Sequence, residues 1–381
     1  MILHDVIIYG SPERKHIYLE QGLIQTITSN RELLEGLEDP LRIELNGAVV
    51  MPGFINSHDH LDFNSFPRLG NRIYTNYTDW GNDIHAANGV MISAVKRIPQ
   101  HLRIKWGLYK NLINGFTTVV NHGKKLEANP SLVNVFQDCY VLHSPAFERN
   151  WSLKLNHPLR NQKPFVMHIG EGTDSAAGNE IDKVIKANLF KRKIVAVHGV
   201  AMSAQQASSF AGIVWCPASN YFLLGKTAPV KQLKNSIKIV FGTDSTLTGS
   251  WDTGNHFAAA IDSDLVSEHE LYHMLTDMPA ALWGLKDRGM IKEGTRADLL
   301  IKEAGSSIYN NHTKEILLVL NNGEIRMAAE SILTLLPVDE KKVFDRIRMD
   351  TKTFYVKAGI HQLITEILSF FPQADIPFLC V

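Results

Sequence analysis

Short apolar strands alternate with helical stretches from about Pro52 to Gly284, and β-rich segments frame them at both ends of the chain. Together these features predict an α/β protein: a (β/α)8 TIM-like barrel with a small composite β-sandwich from both termini. The length of 381 residues suits two or three domains.

The first fifty residues read as strands at Val6–Gly10, His16–Thr28 and Leu41–Val50, with Glu20-Gln21-Gly22 as a hairpin turn. In the middle, apolar runs end at FINSH, TTVVNH, CYVLHS, FVMHIG, IVAVHG, IVWCP and IKIVFGTD. Such near-continuous runs imply parallel strands buried on both faces. Ser203 caps one helix, and Ser267 with Glu270 forms a capping box before another. Only about 42 residues separate the TTVVNH and FVMHIG strands. Two further strands with helices need more, since one βαβ unit takes ~30 residues. The barrel is therefore expected to be distorted or abbreviated around strands 3 and 4. Late strands follow at Ala297–Glu303 and Ile316–Glu330, the latter turning at Asn322-Gly323, and the tail carries an amphipathic YVKAGIHQLITEILSFF helix packed on the barrel or on a second subunit. The expected domains are 1–50 with 286–340 as the sandwich, 51–285 as the barrel, and 341–381 as a helical extension.

The 39 basic and 39 acidic residues cancel, which removes a whole-chain electrostatic case for nucleic-acid binding. Three scattered cysteines suggest neither a disulfide framework nor a thiolate metal site. The start lacks a basic segment followed by a long apolar run, and no run approaches the ~18 residues of a membrane span. A soluble cytoplasmic protein is expected, with no membrane partner, and a closed homodimer is the expected assembly.

Histidine, with 16 copies, carries the functional argument. His58, His60, His122, His143, His168, His198 and Asp244 fall where predicted strands end, at the rim where such barrels place their active sites. In H-D-H, residues i and i+2 of an extended segment point the same way, so His58 and His60 can face one ion. His168 offers a third nitrogen, and Glu171 can reach substrate. His198 ends the next strand, and Asp244 supplies an oxygen ligand or a base. Three nitrogens and a carboxylate suit Zn²⁺ and tolerate Fe²⁺. The loop from Leu61 to about Asp83 should cover the site, with Trp80 and Asn64 as candidate substrate contacts, its aromatics stacking on a planar ring and its arginines holding an anion. His122 is a candidate pocket residue or a second hydrogen-bonding shell, and Trp251, Asn255 and His256 are further candidates.

The ordered motifs VVMPGFINSHDH, VMHIGE, AVHGVAMS, VWCPASNYFLLG and VFGTDSTL resemble the amidohydrolase superfamily. The resemblance is greatest to the branch containing cytosine, guanine and S-adenosylhomocysteine deaminases and triazine hydrolases. It implies that His58, His60, His168 and Asp244 bind one divalent metal, zinc before iron. It also implies that Glu171 and His198 handle substrate and protons, with Asp244 accepting the proton of the attacking water. No Lys or Glu stands where binuclear relatives bridge two ions, so a mononuclear centre is expected. The implied reaction is hydrolytic deamination of a nitrogen heterocycle, a small-molecule substrate. Hydrolysis of an amide or a C–Cl bond by the same site, and a non-catalytic metal- or ligand-binding barrel, are the alternatives.

Overall fold

The computed structural model describes residues 1–38, 40–126, 132–309, 312–336 and 341–381. At the N-terminus, β1 (Ile2–Ile8), β2 (Arg14–Glu20), β3 (Leu23–Thr28) and β4 (Arg42–Pro52) lead directly into the central strands. These are β5 (Phe54–Asp59), β6 (Phe116–Asn121), β7 (Asn134–Phe136), β8 (Tyr140–Val141), β9 (Phe165–Ile169), β10 (Ile194–His198), β11 (Gly212–Trp215) and β12 (Ile239–Phe241). The chain then returns through β13 (Leu299–Lys302), β14 (Ile316–Asn321), β15 (Glu324–Ala329), β16 (Phe344–Met349), β17 (Lys352–Lys357) and β18 (Leu379–Cys380).

The terminal strands form one ten-stranded sheet in the order β18-β16-β17-β15-β14-β13-β4-β1-β2-β3. Both ends of the chain thus meet at β4, which pairs parallel with β1 and antiparallel with β13. The two expected hairpins turn at Gln21-Gly22 (φ 50° and 78°) and Asn322-Gly323 (φ 52° and 74°). Positive φ at both central residues matches the twist of the flanking strands, which is why Gly holds the second position of both turns.

The central strands pair in parallel, in a five-stranded sheet ordered β12-β11-β10-β9-β8 and a three-stranded sheet ordered β5-β6-β7. Strands β9 to β12 are buried along their whole length. That burial explains their unbroken apolar sequences. The sheets approach each other where β12 meets β5. The Asp244 amide donates to the His58 carbonyl at 3.0 Å. Gly242 leaves room for this, since a Cβ there would lie 2.8 Å from that of His58.

At the other edge the predicted shortening is real. β7 passes to β8 through residues 137–139, too few for a helix, and no ladder joins these two strands among the described residues. The sheets therefore do not close into a continuous barrel in the described residues. The CYVLHS segment contributes only Tyr140–Val141 as strand.

The tail differs from the expected helical extension. Residues 344–357 form β16 and β17, which continue the terminal sheet beyond β15. The amphipathic segment is helical only over Ile360–Phe370, because Tyr355 to Lys357 belong to β17. Its apolar face, Ile360, Leu363, Ile364 and Ile367, joins the same core as Trp106 and Tyr109 of the Gln100–Ile113 helix. The Tyr109 hydroxyl donates to the Lys357 carbonyl at 3.0 Å, tying that helix to the tail. No helix among the described residues is long and apolar enough to cross a membrane.

Candidate active site

Strand β5 delivers His58 and His60 to one side and Asp59 to the other, as its pleat requires. Asp59 is fully buried and accepts from Asn64 Nδ2 (2.7 Å), Asn111 Nδ2 (2.8 Å) and Lys110 Nζ (3.4 Å). Lys110 also donates to the Asp244 carbonyl at 3.3 Å, so a buried ion pair braces the chain directly beneath the site.

On the functional side, His58, His60, His122, His168, His198, Glu171 and Asp244 are all buried at the strand ends. Nε2 of His60 lies 3.3 Å from Nε2 of His168, and 3.7 Å from Asp244 Oδ1. His58 Nε2 stands 3.8 Å from the same oxygen. Neither ring nitrogen of His58 or of His122 has a hydrogen-bond partner among the described residues. Burial, reinforced by the neighbouring imidazoles, holds His58, His122 and His168 well below the usual histidine range, and therefore neutral. His168 Nδ1 donates to the His143 carbonyl at 2.8 Å, leaving its Nε2 lone pair aimed at His60.

These orphaned, neutral nitrogens fit a divalent cation. Two nitrogens each ~2.0–2.1 Å from one tetrahedral ion stand roughly 3.3 Å apart, the separation of His60 and His168. Two ligand triads share His58: His58, His60 and Asp244, and His58, His122 and His168. The arrangement brings together all the residues expected to hold an ion and adds His122, which packs 4.4 Å from the His168 ring. Of the two roles expected for His122, lining the pocket or supporting a pocket residue, its place behind the cavity lining beside His168 suits the second.

His198 and Asp244 follow their strands with left-handed backbones, φ 71° and 55°. Such conformations cost ~1–3 kcal/mol each and concentrate at functional sites. A donor chain fixes the His198 tautomer. Trp215 Nε1 can only donate, and it reaches Thr227 Oγ1 at 2.6 Å. The Thr227 hydroxyl then donates to Asn220 Oδ1 at 3.2 Å, and Asn220 Nδ2 donates to His198 Nδ1 at 2.8 Å. Neutral His198 thus carries its proton on Nε2, which faces Glu171 Oε1 at 3.5 Å. Burial lowers the His198 pKa to about 4, against the raising effect of Asp244.

Burial, with Asp244 and Glu180 adding to it, pushes Glu171 well above the usual carboxyl range. Asp244 goes the other way. Burial raises it, but His60, His198 and the hydroxyls of Ser219 and Thr248 outweigh that. Those hydroxyls donate to Asp244 Oδ2 at 2.8 and 2.9 Å. Ser219 and Asn220 thus brace two different site residues from one helix, Pro217–Leu224. Both belong to the P-A-S-N turn of the VWCPASNYFLLG motif, which the resemblance implies to be structural support near the site.

A cavity of about 320 Å³ opens over His60, His168, Glu171, His198 and Asp244. Trp80 lines it as expected, with its indole N–H directed away to the Leu69 carbonyl at 2.8 Å. Phe63, Tyr77, Ile84, Phe147 and Leu247 form the rest of its apolar wall, and Asn82, His85, His143, Ser245 and Thr248 complete the lining with Gly81. Asn64 does not line it, because its amide donates to Asp59 and its oxygen accepts from the Thr246 amide at 3.3 Å. The arginines of the covering loop are also elsewhere. Arg72 pairs with Asp79 at 2.9 Å, and Arg68 lies over the Phe222 ring. Arg68 and Trp251 line a larger cleft of about 540 Å³ that contains none of the site histidines. Asn255 and His256 are engaged with Ser250.

The amidohydrolase family model matches residues 159–328. The 5-methylthioadenosine/S-adenosylhomocysteine deaminase of Pyrococcus furiosus is 24% identical over 425 aligned positions, covering 91% of this chain and 98% of that protein. An adenosine deaminase from Xanthomonas campestris with bound zinc superposes at TM-score 0.69 and 13% identity, covering 98% of this chain and 99% of its own. Helicobacter pylori aminofutalosine deaminase, in complex with methylthio-coformycin, superposes at TM-score 0.66 and 14% identity, covering 85% and 99%. At these identities the solved structures establish a shared fold, and the family match bears out the resemblance read from the motifs.

Proposed function

We propose that this chain, an amidohydrolase-superfamily hydrolase acting on carbon–nitrogen bonds, is a mononuclear metal-dependent deaminase of a nitrogen heterocycle. Its central strands are read as a (β/α)8 barrel shortened between strands 3 and 4. Residues 1–50 and 286–340 contribute the terminal sheet that residues 344–357 extend, and 51–285 carry the barrel.

The observation that carries this reading is a buried Glu171, held protonated, beside an Nε2-protonated His198 and an ionised Asp244, all on one cavity wall. Environments that push neighbouring titratable groups apart assign acid and base roles. His58, His60, His168 and Asp244 would hold the ion, with zinc favoured by the nitrogen-rich set. When bound, a divalent ion supplies Lewis acidity that makes water nucleophilic near neutral pH. Glu171 protonates a ring nitrogen and makes the amine-bearing carbon electrophilic. Asp244 accepts the proton of the attacking water. His198 Nε2–H donates to the oxygen as negative charge develops there. The carbon–amine bond then breaks, the amine leaves with a proton from the site, and a carbonyl compound and ammonia result.

Ammonia release across aminopurines, aminopyrimidines, pterins and aminotriazines tests the reading. Release with at least one class is expected. Turnover of N-acyl compounds with no ammonia from any heterocycle would overturn it.

A further inference from the structure

The cavity over the site contains no lysine or arginine among the described residues. Besides the histidines and the Tyr77 phenol, its ionisable side chains among the described residues are the carboxyls of Glu171 and Asp244. The nearby cations are already committed. Arg72 is bound by Asp79 at 2.9 Å and stacked 4.2 Å from the Tyr74 ring centroid, and Arg68 faces the separate cleft.

The aromatic wall has also spent its polar handles. The Tyr77 hydroxyl donates to Glu180 Oε2 at 2.7 Å, and the Trp80 indole N–H to Leu69. Phe147 stands edge-on to Tyr77 at 5.3 Å, and Phe63 stacks on His60 at 5.3 Å. Beyond its reacting groups the cavity offers the carbon surface of Phe63, Tyr77, Trp80, Ile84, Phe147 and Leu247, with Asn82, His85, His143, Ser245 and Thr248 as its other side chains. An apolar substituent gains from burial against that wall, whereas a carboxylate or phosphate on the substituent would lose water and meet no lysine or arginine among the lining residues.

We propose that the substrate is an uncharged, planar aminoheterocycle with an apolar substituent, and that the cavity discriminates against analogues whose substituent carries a carboxylate or phosphate. This rests on the deaminase reading and narrows it.

The test compares two probes that share one aminopurine nucleoside and differ in their sulfur-linked arm. 5-Methylthioadenosine ends in a methyl group, and its 5′-carboxymethylthio analogue ends in a carboxylate with no compensating ammonium. Both are measured on the metal-loaded enzyme by ammonia release and by calorimetric binding. The uncharged probe should exceed the charged one by about 100-fold or more in kcat/KM and in affinity, the effect of leaving a desolvated anion unpaired. Phe147→Arg supplies the missing cation at the mouth, where the ring is 52% exposed and the fold should tolerate it. It should narrow the preference about tenfold. Equal or tighter binding of the charged probe would overturn the proposed selectivity while leaving deamination standing. Binding of the uncharged probe alone, with no ammonia from any heterocycle, would overturn the deaminase reading and leave the charge discrimination supported.

Discussion

Replacing Asn220 by Asp preserves the side chain's shape and reverses the direction of one hydrogen bond. In the native arrangement Asn220 Nδ2 donates to His198 Nδ1 at 2.8 Å, because the Trp215 N–H and the Thr227 hydroxyl fix the amide's orientation. A carboxylate can only accept, so it draws the His198 proton to Nδ1 and leaves Nε2 bare. The donor aimed at the developing oxyanion is then missing, a loss worth ~10²–10³ in kcat. The effect depends on pH. Burial keeps native His198 neutral, with a pKa of about 4. A neighbouring carboxylate raises that value, and below the raised pKa the imidazolium again carries Nε2–H. The Asp variant should therefore lose about 10²–10³ of kcat at pH 8 and recover as pH falls, with KM little changed. Asn220→Leu removes the bias without inverting it and should lose roughly tenfold at pH 8. Ammonia release from pH 5.5 to 8.5 provides the assay, with metal content checked for each variant. A structural role alone predicts the opposite order, with the near-isosteric Asp milder than Leu and both profiles parallel to the native one. That result would refute the reasoning.

Three other outcomes follow from the same geometry. Glu171→Gln should lower kcat by ~10²–10⁴, the usual weight of a general acid, while metal content is unchanged; parallel metal loss would make Glu171 a ligand instead. Catalysis needs Asp244 ionised and Glu171 protonated. Activity should therefore fall as pH drops below the ordinary carboxylate range, because Asp244 is lowered, and fall again as pH rises through the raised Glu171 value. Glu171→Gln should abolish that alkaline limb, and its survival would assign it to another group. Lys110→Met breaks the buried pair with Asp59, which is 3.4 Å away. It should cost ~3–5 kcal/mol of stability by leaving a carboxylate unpaired, as measured by denaturant unfolding; a cost under 1 kcal/mol would mean that the surrounding amides suffice.

Much of the site was legible because it is written at strand ends. His58, His60, His168, His198 and Asp244 each follow an apolar run, and strand pleating alone predicted that His58 and His60 share a direction. Asn64 was misjudged because a short 3-10 turn at Leu61–Phe63 carries its amide beneath the strand to Asp59. Loop composition does not encode such a turn. His122 also ends a strand, but only the packing of neighbouring strands reveals that it stands beside His168, behind the residues that line the cavity. A supporting role for P-A-S-N was legible from the motif, but the particular partners of Ser219 and Asn220 were not, because they lie 22 to 25 residues away in sequence. Strand β7 has three residues, too few for any periodicity to show. The FDRIRM sequence of β16 is half polar because that strand lies near the sheet edge and only Ile347 is fully buried.

Metal content per chain, measured by inductively coupled plasma mass spectrometry on protein purified without chelator, tests the central claim most directly. The account predicts about one zinc or iron per chain, reduced to near zero in His60→Ala. Two ions per chain would contradict the single-site reading and assign a second ion to the triad of His58, His122 and His168. No ion, even after metal is added back, would contradict the hydrolytic mechanism itself.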